Sequence, residues 1–506
     1  MSHIAWIGGS RSGPVARPGR LPERAGGHRL AAALLVLAVI LPGMQATADA
    51  ADRTQLPRTV AATLRRYGMP ARSLSVVVRP VDGSGAVLDF NADVPRSPAS
   101  TLKILTTLVS LEKLGPAYTW KTEAFGDGPV RDGRLQGNLY IKGYGDPDLV
   151  IEDFWRFLHG LQERGVRSIS GNLVLDQDYF AQSDTTRAGF DGHPLRPYNV
   201  LPSALLVNFQ AVRFRFFPDP SHARVHVVAD PLPAGFTLIS HVRLVDGPCL
   251  GGAHAVDMQV ERSGRERRVI LTGNYASACG QDDRYRVLSG SRDYMDGIFR
   301  ELWRGMGGKF HGHVVYGRVP PSAQLLYTGH SPPLAEVIRS INKYSNNVMA
   351  RQLLLTLAAR FVGVPGTVAD GDRVVRGWLA AHGMHFPELF VGNGSGLSRR
   401  ARISARHLAD VLDAAYQGPY MPEFFASLPV LSVDGTMKYR LDGSALAGRA
   451  HLKTGSLDGV LAAAGMMLDS KGRRMLVVCL QNDPDADSGA GQAVQNALFE
   501  WVYHRP

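Results

Sequence analysis

The chain has 506 residues, is 45% hydrophobic and 20% charged, and carries a net charge of +11. That composition is ordinary for globular protein, and the length calls for two or more domains or one domain with a large insertion. No apolar run is long enough for a multi-span membrane protein, and no basic stretch interleaved with aromatics points to nucleic acid.

Residues 1–29 are rich in Gly, Pro and Arg; five arginines and one glutamate give them a net +4 and leave +7 for the rest. A basic exported protein would favour anionic envelope polymers, although solubility alone accounts for the excess. Arg29 precedes a twelve-residue apolar run, Leu30 to Leu41, broken by Pro42-Gly43. The following Gln45-Ala46-Thr47-Ala48-Asp49-Ala50 offers Ala-x-Ala cleavage sites. This pattern predicts a secretory signal peptide with a long leader over residues 1–48, and so export to the periplasm; an uncleaved anchor is the alternative.

Beyond it, residues 54–67 predict an amphipathic helix. The β-branched run 73–80 and residues 86–90 predict a hairpin around Asp82-Gly83-Ser84-Gly85. A helix is expected from about Pro98. From residue 120, short strand-like runs alternate with Gly, Asp and Pro turns: 137–142, 171–176, 212–217, 223–228 and 269–272. Helices are expected at 150–164 and 292–306. Helical periods return near 330, with helices from Pro333 to Ile338 and beyond, at 347–361, 404–416 and 421–427. Strands at 449–455, 460–468 and 474–480 precede a last helix at 489–503. The expected organisation is therefore a discontinuous domain, 51–119 with 327–506. A β-rich insertion occupies 120–326 and contains a subdomain at about 210–285.

Of three cysteines, Cys249 and Cys279 lie thirty residues apart in a turn- and strand-rich region and are expected to pair, as export permits. Cys479 sits in an apolar strand and reads as a small buried hydrophobe. No spacing resembles a metal site.

Chemistry first shows at Ser100-Thr101-Leu102-Lys103. A serine and a lysine at i and i+3 share a helix face, which makes a nucleophile with a base, and a serine in the first turn also offers its own N–H to an oxyanion. The same spacing recurs at Ser110–Lys113 and Ser340–Lys343, so spacing alone decides nothing. Lys453-Thr454-Gly455-Ser456 stands between apolar residues. On an edge strand, Lys453 and Thr454 would hold a substrate carboxylate, Gly455 would admit the substrate backbone, and the Ser456 N–H would be a second oxyanion donor. Ser345-Asn346-Asn347 supplies a hydroxyl and an amide for proton relay and substrate positioning.

The ordered set Ser-x-x-Lys, Ser-x-Asn, Lys-Thr-Gly resembles the penicillin-binding proteins and serine β-lactamases. The surrounding sequence is more specific. Pro98-Ala99-Ser100-Thr101-x-Lys103, Asn342-Lys343-x-Ser345-Asn346-Asn347, Gly394-Ser395-Gly396-Leu397-Ser398-Arg399 and Lys453-Thr454-Gly455-Ser456-Leu457-x-Gly459-Val460 resemble the type-4 penicillin-binding proteins, the D-alanyl-D-alanine carboxypeptidase/endopeptidases of peptidase family S13. The long interval between Ser100 and Ser345 suits that family, in which an insertion follows the nucleophile helix. There is no Gly-x-Ser-x-Gly elbow.

The resemblance implies an α/β (α+β) fold: an antiparallel sheet flanked by helices, with the β-rich insertion. It implies a serine peptidase with Ser100, Lys103, Ser345, Asn347 and Lys453 as catalytic groups, backbone N–H groups of Ser100 and Ser456 as the oxyanion hole, and no cofactor or metal. Substrate binding would fall to Thr454, Gly455, Arg399, Asp458, Asp176 and Phe180. Asp176 and Phe180 read equally well as a turn aspartate and a core aromatic. The family usually has aspartate where Asn393 stands and often glutamine where Asp458 stands. Expected partners are peptidoglycan stem peptides, with β-lactams as inhibitors and at most a loose association with membrane or envelope. A catalytically lapsed penicillin-binding scaffold or sensor is the alternative.

Overall fold

The computed structural model describes residues 53–182, 186–187, 189–249, 256–264 and 266–505. The proposed signal peptide lies outside the described residues.

The helix α1 (Arg58–Arg66) leads into β1 (Leu74–Pro80) and β2 (Leu88–Phe90). A 3₁₀ turn, Ala99–Leu102, runs directly into α2 (Lys103–Leu114). After the insertion come α3 (Leu334–Tyr344), α4 (Asn347–Phe361), α5 (Val368–Ala381), α6 (Ala405–Gln417) and α7 (Met421–Ser427). The hairpin of β3 (Ala450–Leu457) and β4 (Val460–Leu468), then β5 (Arg474–Asn482) and α8 (Gly489–His504), complete the fold.

These strands form one antiparallel sheet in the order β3-β4-β5-β1-β2. Strand side chains alternate between faces, and both faces are covered, so the strands read as unbroken apolar runs. Val77, Val478, Leu480, Ala462 and Ala464 face α2 and α6, where Leu105, Leu108, Leu408 and Leu412 meet them. Val76, Val78, Val477, Cys479 and Ala463 face the other way, onto Val60 and Leu64 of α1 and Val494, Leu498 and Phe499 of α8. Cys479 is buried and free, as its neighbours require.

The helix α5 has no counterpart among the elements predicted from sequence. Gly371, Gly377 and a run of charged residues dilute its apolar period, and those glycines lower the helical signal. Gly371 has a packing reason: a Cβ there would stand 2.6 Å from Leu354 Cγ on α4, so the two helices approach where only hydrogen fits.

The insertion carries its own core. Residues 314–316, 173–176, 139–143, 121–126 and 324–330 make a five-stranded mixed sheet, in that spatial order. The helices Ile151–Glu163 and Ser291–Gly305 pack through Phe154, Leu158, Ile298 and Phe299 into that core. A six-stranded sheet follows the order 256–263, 266–276, 236–245, 224–230, 211–219, 282–287. Three of those strands, 236–245, 256–263 and 282–287, escaped the sequence reading because exposed polar residues interrupt their alternation. Strands 236–245 and 266–276 run parallel, and the Cys249–Cys279 disulfide ties the chain just past their ends. Residues 197–211 link the two bodies: Val200, Leu206, Phe209 and Ala211 join the core that holds α2 and α4.

Candidate active site

Four segments meet at Lys103. Ser100 lies in the 3₁₀ turn, where residues i and i+3 eclipse, so the lysine three positions on returns beneath it. Lys103 Nζ is 2.9 Å from Ser100 Oγ, 2.6 Å from Asn347 Oδ1 and 2.6 Å from the Ser395 carbonyl. Ala99, just before, holds φ of 44°, a left-handed conformation that costs a non-glycine residue energy and marks a site held by its surroundings.

The surroundings are two glycines. A Cβ on Gly396 would stand 1.8 Å from the Ala99 carbonyl oxygen, and one on Gly455 would stand 2.6 Å from that of Pro98 and 2.9 Å from the Ser100 nitrogen. The Gly394–Leu397 loop is shaped by Asn393, whose Oδ1 accepts from the Ser395 N–H (3.1 Å) and hydroxyl (2.7 Å). Thr106 Oγ1 donates to the Gly394 carbonyl at 2.7 Å. Asparagine here does the acceptor work that aspartate could do, without bringing a charge beside Lys103.

Ser345 caps α3 at φ 57°, and Asn346 then starts α4, its side chain accepting from the Val348 and Met349 N–H groups. That junction points Asn347 at Lys103 and Ser345 at β3. Lys453 Nζ donates to Ser345 Oγ (2.8 Å) and the Thr454 carbonyl (2.7 Å). Thr454 and Thr436 hydroxyls meet at 2.7 Å.

Both lysines are fully buried, and among the described residues neither pairs with a carboxylate. Burial pushes Lys103 well below the ordinary lysine range, and the charges of Lys453 and Arg351 push the same way. Burial brings Lys453 to about 7.

On the edge strand β3, parity fixes which backbone groups face away from β4. The Ala450 carbonyl accepts from the Leu431 N–H, and the Leu452 N–H donates to the Pro429 carbonyl, both on the side away from β4. Backbone groups alternate in direction along a strand, so Thr454 and Ser456 also face outward. The Ser456 N–H therefore opens toward the cleft, on the strand whose Gly455 abuts Ser100.

The D-Ala-D-Ala carboxypeptidase 3 (S13) family model matches residues 56–504. The chain belongs to this family. It is a serine-type D-Ala-D-Ala carboxypeptidase. It is 29% identical over 504 residues to the D-alanyl-D-alanine carboxypeptidase of Actinomadura sp. (strain R39), covering 95% of this chain and 91% of that one. It is 25% identical over 410 residues to D-alanyl-D-alanine carboxypeptidase DacB of Haemophilus influenzae, covering 80% and 84%. The crystal structure of penicillin binding protein 4 (dacB) from Haemophilus influenzae shares the fold, with a TM-score of 0.72 at 23% identity over 88% of this chain and 100% of that one.

Within this S13 chain, the sequence-predicted residues fall into three groups. Ser100, Lys103, Ser345, Asn347, Lys453, Thr454, Gly455 and Ser456 converge as described. Arg399 and Asp458 sit at the rim as an exposed ion pair, Arg399 also donating to the Asp458 carbonyl at 3.3 Å. The Arg399 guanidinium lies 5.2 Å from the Phe190 ring centroid.

Asp176 and Phe180 lie outside the Lys103 group and are bonded and packed elsewhere. Asp176 is 2% exposed; its carboxylate accepts from the Val319 N–H (3.0 Å) and lies 3.6 Å from Lys142 Nζ. Phe180 packs with Ala204, Leu355 and Ala359, against Gly145. Asp176 is thus held by partners within the insertion, and Phe180 packs across onto α4.

The two decoys are structural as well. Ser110 Oγ donates to the Thr106 carbonyl one turn back (2.8 Å). Lys343 reaches the Leu428 carbonyl (2.5 Å) and Asp434 (2.8 Å), pinning the segment that precedes β3. Sequence reasoning missed the Ser395 carbonyl, Thr436 and Arg351. Among the described residues no group of three or more His, Cys, Asp or Glu side chains is placed to hold a metal ion.

Proposed function

We propose that this carboxypeptidase is exported to the periplasm and acts on peptidoglycan stem peptides through an acyl-enzyme on Ser100. The observation that carries this reading is the coordination of Lys103. A neutral amine has two N–H bonds and one lone pair. The N–H bonds go to Asn347 Oδ1 and the Ser395 carbonyl, and the lone pair is left facing the Ser100 hydroxyl at 2.9 Å. That is a base positioned on its nucleophile.

Ser100 Oγ attacks the carbonyl of the penultimate D-Ala as its proton passes to Lys103. The oxyanion forms between the N–H groups of Ser100 and Ser456, which are fixed before reaction. Lys453, through Ser345, delivers a proton to the leaving amine. Thr454 and Lys453 hold the terminal carboxylate, and Asn347 orients both the scissile amide and Lys103. Water then releases the acyl group and restores Ser100. A leaving D-Ala makes the reaction a carboxypeptidase step; a leaving cross-linked residue makes it an endopeptidase step. A β-lactam enters the same attack and remains as a covalent adduct.

Fluorescent penicillin should label the protein in one-to-one ratio and should not label S100A. Labelling of S100A at the wild-type rate would overturn the assignment.

A further inference from the structure

The nucleophile turn is entered through Arg96-Ser97-Pro98-Ala99. Arg96 behaves as a strand residue: its N–H donates to the Ile403 carbonyl and its carbonyl accepts from the Ile403 N–H, both at 3.0 Å. The backbone groups of the next residue in an extended segment point the opposite way. On that side Ser97 meets a side chain in place of a strand. β1 pairs with β5 only as far as Leu74, opposite Gln481, and Asn482, the last residue of β5, stands one position beyond. Asn482 Oδ1 accepts from the Ser97 N–H at 2.8 Å, and its Nδ2 donates to the Ser97 carbonyl at 3.1 Å. The carboxamide thus takes both bonds that a neighbouring peptide group would take, which needs a donor and an acceptor on one short side chain. The Ser97 hydroxyl is buried and has no hydrogen-bond partner among the described residues, so Ser97 is held through its backbone.

We propose that Asn482 is a positioning residue that acts through the backbone of Ser97 to hold Ser100 against Lys103. This rests on the reading of Ser100 as the nucleophile.

Two residues separate the clamp from Ser100. The Pro98 ring fixes its own φ, at −82°, so the freedom of the segment falls on Ala99, at φ 44°. A non-glycine residue keeps that conformation only where its surroundings hold it. Downstream the hold is α2, which is anchored in the core by Leu105 and Leu108. Upstream it is the Arg96–Ile403 bridge and Asn482. With the Asn482 bonds removed, Ala99 relaxes and turns the Ser100 hydroxyl and N–H together, away from Lys103 and from the oxyanion position.

The test is acylation of the full protein by fluorescent penicillin, followed at rising penicillin concentration so that reversible binding and the limiting acylation rate are read separately. N482A should lower the limiting rate about tenfold or more, with the reversible binding constant and the pH profile of the rate unmoved, because the nucleophile is misplaced and its base is untouched. The same substitution is then made in an A99G background, since glycine adopts positive φ freely. There N482A should cost no more than about threefold, because the two sites act as one. A limiting rate in N482A equal to that of wild type would overturn the proposal, and so would an equal loss in the two backgrounds. Failure of both N482A and N482S to fold would overturn it as well, because Asn482 would then serve the fold alone. If S100A is labelled at the wild-type rate, the reading of Ser100 as nucleophile fails instead, whatever Asn482 does.

Discussion

In the proposed mechanism Lys453 governs the alkaline side of the reaction as Lys103 governs the acid side. Burial brings its amine to about 7, and its proposed task is to give up a proton to the leaving group. The sign follows: hydrolysis of a D-Ala-D-Ala peptide needs Lys103 neutral and Lys453 protonated, so kcat/KM should fall as pH rises through about 7. A profile measured to pH 10 should show that limb in wild type and lose it in K453R, whose guanidinium stays charged. A wild-type profile flat from pH 6 to 10 would remove Lys453 from proton transfer. At this scale the sequence was legible wherever a side chain carries the chemistry, because Ser100, Lys103, Ser345, Asn347 and Lys453 occur in a fixed order. It also named the Ser100 and Ser456 N–H groups, but was silent on one backbone acceptor. The Ser395 carbonyl that takes a Lys103 N–H has no residue-type signature; only the glycines on either side hint at a close approach. Arg351 was passed over because an arginine in a helix reads as solvated surface.

Between residue and domain, the junction of the insertion with α4 carries an unusual set of carboxylates. Asp146 is fully buried, with one hydrogen bond, from the Asp148 N–H (2.9 Å). Its backbone carbonyl takes Gln352 Nε2 of α4 (2.8 Å). Burial pushes Asp146 up to about 8 and Asp148 up to about 7, with Asp153 and Glu336 adding like charge. Both folded values lie above the unfolded one. Their contribution to stability is therefore complete below pH 4 and is lost as pH rises through 7 to 8. The melting temperature should fall by several degrees between pH 5 and 8, and D146N should regain ~2–4 °C at pH 8, read by thermal unfolding at both values. An equal shift at pH 5 and 8 would mean that ionisation is not involved. Elements themselves were legible where burial is two-sided or strictly periodic: β1, β4, β5, α4 and α7 lie where their apolar patterns put them. They were lost where charge or glycine interrupts the pattern, as in α5 and the strand 236–245.

Taken whole, the molecule has a catalytic sheet with helices on both faces and a separate core under the insertion, joined through residues 197–211. Damage to the far end of the insertion should then spare the chemistry. The Cys249–Cys279 bond closes a loop of separation 30, which chain entropy values at ~3–4 kcal/mol for the sheet it ties. C249S/C279S should lower the melting temperature of that sheet and leave the rate of penicillin labelling near wild type, checked by calorimetry and gel fluorescence on one preparation. A parallel loss of labelling would show that the two bodies unfold as one.

The order of strands has a consequence for how the enzyme comes into being. β1 is paired on one side with β2, its neighbour in sequence, and on the other with β5, so Leu74 lies opposite Gln481. The nucleophile turn is made early in synthesis, but Gly455, which presses on it, and Lys453 are made late. Pairing so distant in sequence is slow to form. A chain that emerges unfolded thus carries Ser100 without its base geometry, its oxyanion strand or its proton donor. The constellation is complete only when β5 closes the sheet, which ties the assembly of the site around Ser100 to completion of the fold.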